Sequence, residues 1–138
     1  MKNLIRFVNR RGDVRLMEVS MRLVVDGFNP LVVENIGFNS YYHPTELLLS
    51  VAHYGTQNGD AMRDPEIVFA AEFDREGKLS KLHPCYFRND YLGLETQGYF
   101  EEEGRQMMRP QLIAEWRRFA VQWDRNLVAQ GFFNGSAR

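Results

Sequence analysis

Residues 110–131 constrain the fold more than any other stretch. Pro110 suits the first position of a helix, where the missing N–H would have no partner in any case. Leu112, Ile113, Trp116, Phe119, Ala120, Trp123 and Leu127 then recur at spacings of three and four, and Gly131 supplies a stop. Both tryptophans of the chain lie on that stripe, and burying aromatics of this size contributes several kcal/mol at roughly 25 cal/mol per Å². A long helix so marked has to lie on another apolar surface.

Upstream of it, the pattern for that surface is β. "LVVENI", residues 31–36, follows the Asn29-Pro30 turn and ends at Gly37. "ELLLSVAHY", residues 46–54, sets Leu47, Leu49, Val51 and His53 on one face and Leu48, Ser50, Ala52 and Tyr54 on the other, as a covered central strand would. "EIVFAAEF", residues 66–73, places Ile67, Phe69, Ala71 and Phe73 together, with Glu66 and Glu72 on the other face. "DREGK" makes a hairpin turn around Gly77, and in the returning "LSKLHPCYF" Pro84 marks an edge or a bulge. A last extended stretch, "DYLGLETQGYF", closes at Glu101-Glu102-Glu103-Gly104. Consecutive strands followed by one helix predict an α+β domain: an antiparallel sheet of four to six strands with the long C-terminal helix on one face. Residues 1–9 fit a short helix stopped by Arg10-Arg11-Gly12-Asp13, and Val14, Leu16 and Val19 fit a strand poorly.

A chain of 138 residues suits a single domain, 1–138, and its 44% hydrophobic and 13% aromatic content argues against disorder. Charge is uneven. Within the basic segment 1–29, Lys2, Arg6, Arg10, Arg11, Arg15 and Arg22 outnumber the acids, whereas the sequence pI of 6.3 lacks a nucleic-acid binder's footprint. Nucleic acid therefore ranks behind protein as a partner. Cys85 stands alone, which excludes an intrachain disulfide and a cysteine zinc site. With no signal-peptide pattern at the start and no apolar run long enough for a membrane span, the expectation is a cytoplasmic protein without membrane contact.

The polar stretch "AHYGTQNGDAMRDPE", residues 52–66, is the candidate site: His53, Tyr54, Gln57, Asn58, Asp60, Arg63, Asp64 and Glu66 crowd into it. Asn58-Gly59-Asp60 is strong turn chemistry, Asp64-Pro65 suits a second bend, and Arg63 is in reach of either aspartate. An ordered connecting loop is the reading preferred. Its rival is a hard-cation site from His53, Asp60, Asp64 and Glu66, which suits a metal-dependent phosphodiester or nucleotide hydrolase. Asp64 with Glu76-Gly77-Lys78 resembles a nuclease pattern in letters only, because Gly77 puts the tripeptide in a turn. Cys85 and His83, two apart on a strand, make a poor nucleophile pair, so Cys85 reads as a small buried apolar group.

The run His53-Tyr54-x-x-Gln57-Asn58-Gly59-Asp60-x-Met62-x-Asp64-Pro65-Glu66, with Trp123-x-x-x-Leu127-x-x-Gln130-Gly131-Phe132, resembles a bacterial family of small domains of unknown function. Its members sit on phages, plasmids and conjugative elements. The resemblance spans residues 30–133, leaves the basic segment 1–29 aside, and implies a shared fold and a genomic setting but no mechanism.

Together these observations predict a small non-enzymatic protein with no catalytic residue, resident metal or cofactor, acting by binding a macromolecule; the resemblance implies a mobile-element or phage origin and a role in counter-defence or element transfer. Nucleic-acid binding through the N-terminal segment is a second alternative to the hydrolase. The helix offers one further surface: Ala114, Val121 and Val128 recur every seven residues opposite the main stripe, beside Arg117 and Arg125. That line suits a homodimer or a docked partner.

Overall fold

A computed structural model describes residues 1–18, 20–38 and 47–135. Val19 and Glu46, both used above, lie outside them. The chain runs through helix α1 (Lys2–Arg11), a 3-10 turn at Val14–Leu16, strands β1 (Met21–Leu23), β2 (Leu31–Phe38), β3 (Leu47–Gln57), β4 (Asp60–Phe73), β5 (Leu79–Asn89), β6 (Leu94–Gln97), β7 (Tyr99–Glu102) and β8 (Arg105–Met108), and helix α2 (Pro110–Ala129). Strands β1 to β6 form one antiparallel sheet in sequence order, and β7 with β8 forms a separate hairpin. The architecture is α+β.

Both helices cover the same sheet face. Leu4, Phe7 and Val8 of α1 and Ala120, Trp123 and Leu127 of α2 share one core with Val33, Leu49, Val51, Ile67, Phe69 and Ala71. The expected alternation along β3 and β4 is therefore realised, and each fully buried aliphatic or aromatic side chain there contributes roughly 1.5–3 kcal/mol. The α2 stripe is rotated slightly from the expected arc. Its buried residues are Ile113, Trp116, Ala120, Trp123, Asp124 and Leu127, while Leu112 is half-buried and Phe119 exposed, its ring edge-on to Phe87.

Several elements differ from the sequence reading. Residues 55–65 are not a connecting loop: β3 and β4 are one long hairpin whose turn is only Asn58-Gly59, with φ of 53° and 86°. Two positive φ values in a two-residue connection match the right-handed twist of the strands it joins. The extended stretch after Asn89 splits, because Leu94–Gln97 joins the main sheet and Tyr99–Glu102 turns away to pair with β8. Strand β1 and strand β8 carry too little apolar alternation to be read from sequence. Pro84 sits at a register shift, where Val68 pairs with Tyr86 and Phe69 with Pro84, so it marks a bulge as expected.

Candidate functional site

The second sheet face carries the side chains that alternate with the core. Leu48, Val68, Ala70, Cys85 and Tyr86 form a small apolar floor there, with Tyr99 packed against it. Around that floor is a groove of about 470 Å³, lined by Glu34, Ile36, Phe38, Leu48, Tyr54, Arg63, Glu66, Val68, Tyr86, Glu95 and Gln97. Among the described residues, no helix packs on this side.

One irregularity assembles the polar end of the groove. Ala52 pairs with Glu66 and Tyr54 with Arg63, so His53 alone opposes two residues, Asp64 and Pro65. Residues three apart on a regular strand point to opposite faces. The extra residue in β4 reverses that, and Arg63 and Glu66 both face the groove. Arg63 Nε lies 3.3 Å from Tyr54 Oη and 3.6 Å from Glu66 Oε1. Ser50 Oγ donates to Glu66 Oε2, which satisfies one oxygen of a carboxylate only 8% exposed. Tyr86 Oη donates to Glu95 Oε1 at 2.7 Å, and burial together with that carboxylate pushes the phenol's pKa up. Arg88, opposite Glu66 on β5, divides its guanidinium between Asp90, at 2.6 Å, and the Tyr86 hydroxyl. Burial alone would raise the Asp90 pKa, but the Arg63 backbone N–H and the Arg88 guanidinium outweigh it and hold the carboxyl below its ordinary range.

The sequence-predicted site residues do not converge. His53 is on the helix-covered face, its ring 5.6 Å from Trp123 and 5.5 Å from Phe132, with Nδ1 3.0 Å from Asn29 O. Gln57, Asn58 and Asp60 are exposed at the hairpin tip. Asp64 accepts from Asn89 Nδ2 at 2.7 Å, and its peptide bond to Pro65 is cis. Arg63 pairs with neither aspartate of its own hairpin; its backbone N–H donates to Asp90 Oδ2 and its side chain turns to Tyr54 and Glu66. Of the eight, only Tyr54, Arg63 and Glu66 reach the groove. His53 and Glu66 stand on opposite faces of the sheet, and among the described residues no three His, Cys, Asp or Glu side chains are placed to hold a metal ion. Cys85 is buried, and burial lifts its thiol to about 11, far from a reactive thiolate.

Glu34, Ser50, Tyr86, Glu95 and Gln97 went unselected in the sequence. For Ser50 a signal was present: a hydroxyl inside the apolar "LLLSVA" needs a buried partner. The outer line of α2 is as drawn, with Arg117, Val121, Arg125 and Val128 exposed and Ala114 half-buried. No helix among the described residues is long and apolar enough to cross a membrane.

A family model described as a domain of unknown function, DUF6908, matches residues 2–133. That span begins inside α1, so the basic N-terminal segment, outside the motif resemblance, lies within the match. Neither the curated proteins nor the solved structures contain a match to the chain.

Proposed function

The chain belongs to the DUF6908 family of domains of unknown function, and from that premise we propose that it acts by binding another protein, through the sheet face opposite its helices. The observation that carries this reading is the groove, a concave surface with a polar end built by a bulge and an apolar rim at Ile36 and Phe38. Phe38 is 77% exposed and Ile36 46%, a pairing of large apolar side chains beside a cleft that marks interaction surfaces. The motif resemblance extends the proposal to its setting: a phage, plasmid or conjugative element, with a host defence or element-transfer protein as the partner. The dispersal of His53, Asp60, Asp64 and Glu66 gives the hydrolase no comparable support.

The test is crosslinked purification of the tagged chain from its native host, alongside an Ile36→Asp/Phe38→Asp double variant. Both positions are exposed, so the variant folds. The expected result is a stoichiometric partner that crosslinks around the groove and is lost from the double variant. A partner kept by that variant but lost from Val121→Glu would move the docking surface to the outer face of α2.

A further inference from the structure

The lining of the groove identifies the kind of group it takes. Glu34, Glu66 and Glu95 contribute three carboxylates against the guanidinium of Arg63, and the Arg88 guanidinium beside them is held by Asp90 and Tyr86. The Arg63 guanidinium is already engaged by Tyr54 Oη and faces Glu66. Ser50 satisfies one oxygen of the buried Glu66, whereas Arg63 Nε stands 3.6 Å from the other, outside hydrogen-bond distance. A buried carboxylate is costly until it is paired and hydrogen-bonded. The ion pair with Arg63 leaves Oε1 able to accept a hydrogen bond from a second cation delivered from outside, while an anion would meet three carboxylates. Beside the acids lie the Tyr86 ring, Val68 and Ile36, which offer an apolar and aromatic wall. A long basic side chain has the matching form, an apolar stem with a charged head, and a guanidinium also stacks on an aromatic face.

We propose that the groove takes an arginine or lysine side chain of the partner protein, its head on Glu66 and Glu95 and its stem along Ile36 and Val68. The assignment rests on the sheet face being the docking surface. It commits that surface to a basic partner segment.

The experiment is an NMR titration of the labelled full chain with the pentapeptide Gly-Gly-Arg-Gly-Gly and with versions carrying norleucine or glutamate in place of arginine. The arginine peptide should shift the amide signals of Ser50, Val68 and Tyr86 with saturable, salt-weakened binding. The norleucine peptide should bind about tenfold more weakly or worse, and the glutamate peptide not at all. Glu66→Gln should weaken the arginine peptide about tenfold. Because Glu66 is buried and contributes to folding, the Glu34→Gln/Glu95→Gln pair serves as a second variant and should weaken it severalfold with the spectrum otherwise unchanged. Equal binding of norleucine, tighter binding of glutamate, shifts confined to other surfaces, or no shifts overturn the proposal. If the Ile36→Asp/Phe38→Asp variant loses its partner while the arginine peptide shifts nothing, docking stands and the basic side chain falls. Peptide binding at the groove with a partner indifferent to that variant does the opposite: the groove's taste for a basic side chain stands and docking of the partner there falls.

Discussion

Asp124 of α2 caps the start of α1 at Leu4. Its Oδ1 accepts the Leu4 N–H at 3.0 Å, and its Oδ2 accepts the Asn3 N–H at 3.1 Å and Asn3 Nδ2 at 2.8 Å. The residue at the N-cap position of α1, Met1, has no side-chain oxygen to offer, so the cap comes from the other helix. The carboxylate is buried and also meets the positive end of the α1 dipole.

Asp124→Ala should therefore cost about 2–4 kcal/mol, because it removes a charged acceptor and strands buried N–H donors. Asp124→Asn should cost less, since one amide oxygen still accepts. Denaturant midpoints of the three proteins check this. A wild-type midpoint for Asp124→Ala would mean that the docking of α1 contributes little to stability.

A cap of this kind is invisible in the sequence: donor and acceptor are 120 residues apart, and an aspartate within a helix reads as surface. The apolar stripe of α2 was legible because burial repeats at helical spacing, but its exact arc was not. Packing against α1 draws in Asp124 and leaves Phe119 exposed. The strands β2 to β5 were legible from alternation and turn residues. At the site, alternation assigned Tyr54 and Glu66 to their faces, whereas Arg63 fell in the expected connecting loop, because Asp64-Pro65 reads equally as a bend in a loop and as the bulge that turns Arg63 to the groove. The groove draws one to three residues from each of five strands, and no local pattern gathers them.

Two glycines separate by what encloses them. A Cβ on Gly98 would lie 2.9 Å from Ile113 Cγ1 and from Trp116 Cζ3, and 3.1 Å from the Cys85 carbonyl oxygen. The first two are buried side chains of α2 and the third is backbone, none of which can swing aside, so Gly98→Ala should destabilise by about 1–3 kcal/mol. On Gly55 the nearest atom is Tyr91 Oη at 2.5 Å, the tip of an exposed side chain that can swing aside. Gly55→Ala should cost under about 1 kcal/mol. Thermal unfolding of both variants checks the order, and a larger loss at Gly55 would contradict it.

At the hairpin tip the constraint is backbone alone. Gly59 has a φ of 86°, and a Cβ there would have nothing within 4 Å, so a side chain meets no clash. Gly59→Val should still cost about 1 kcal/mol or more, through the left-handed conformation that a β-branched residue resists. Asn58→Gly should be close to neutral, since glycine accepts the φ of 53°. Chemical denaturation distinguishes the two, and equal midpoints would remove the turn from the hairpin's stability.

His53 gives the stability of the fold a pH dependence with a defined sign. Burial against Trp123 and Phe132 lowers its pKa, and the acceptors at Asn29 O and Pro30 O and the charge of Asp64 only partly offset this. Because Asn29 O can only accept, Nδ1 carries the proton of the neutral ring. A second proton would place a charge on a half-buried ring packed against Trp123 and Phe132. The unfolded chain binds that proton at the ordinary value of about 6.5, so below it the unfolded state holds more protons than the folded one. Stability from His53 is therefore complete above about pH 6.5 and is lost as pH falls through the lowered folded value. The carboxylates of Asp13, Glu72 and Asp90, held below their ordinary range, act in the same direction but in a more acidic window. Unfolding midpoints measured from about pH 8 to about pH 5 should thus decline in the wild type and stay nearly level in His53→Gln. An unchanged slope in that variant would assign the decline to other groups and leave His53 titrating as it does in the unfolded chain.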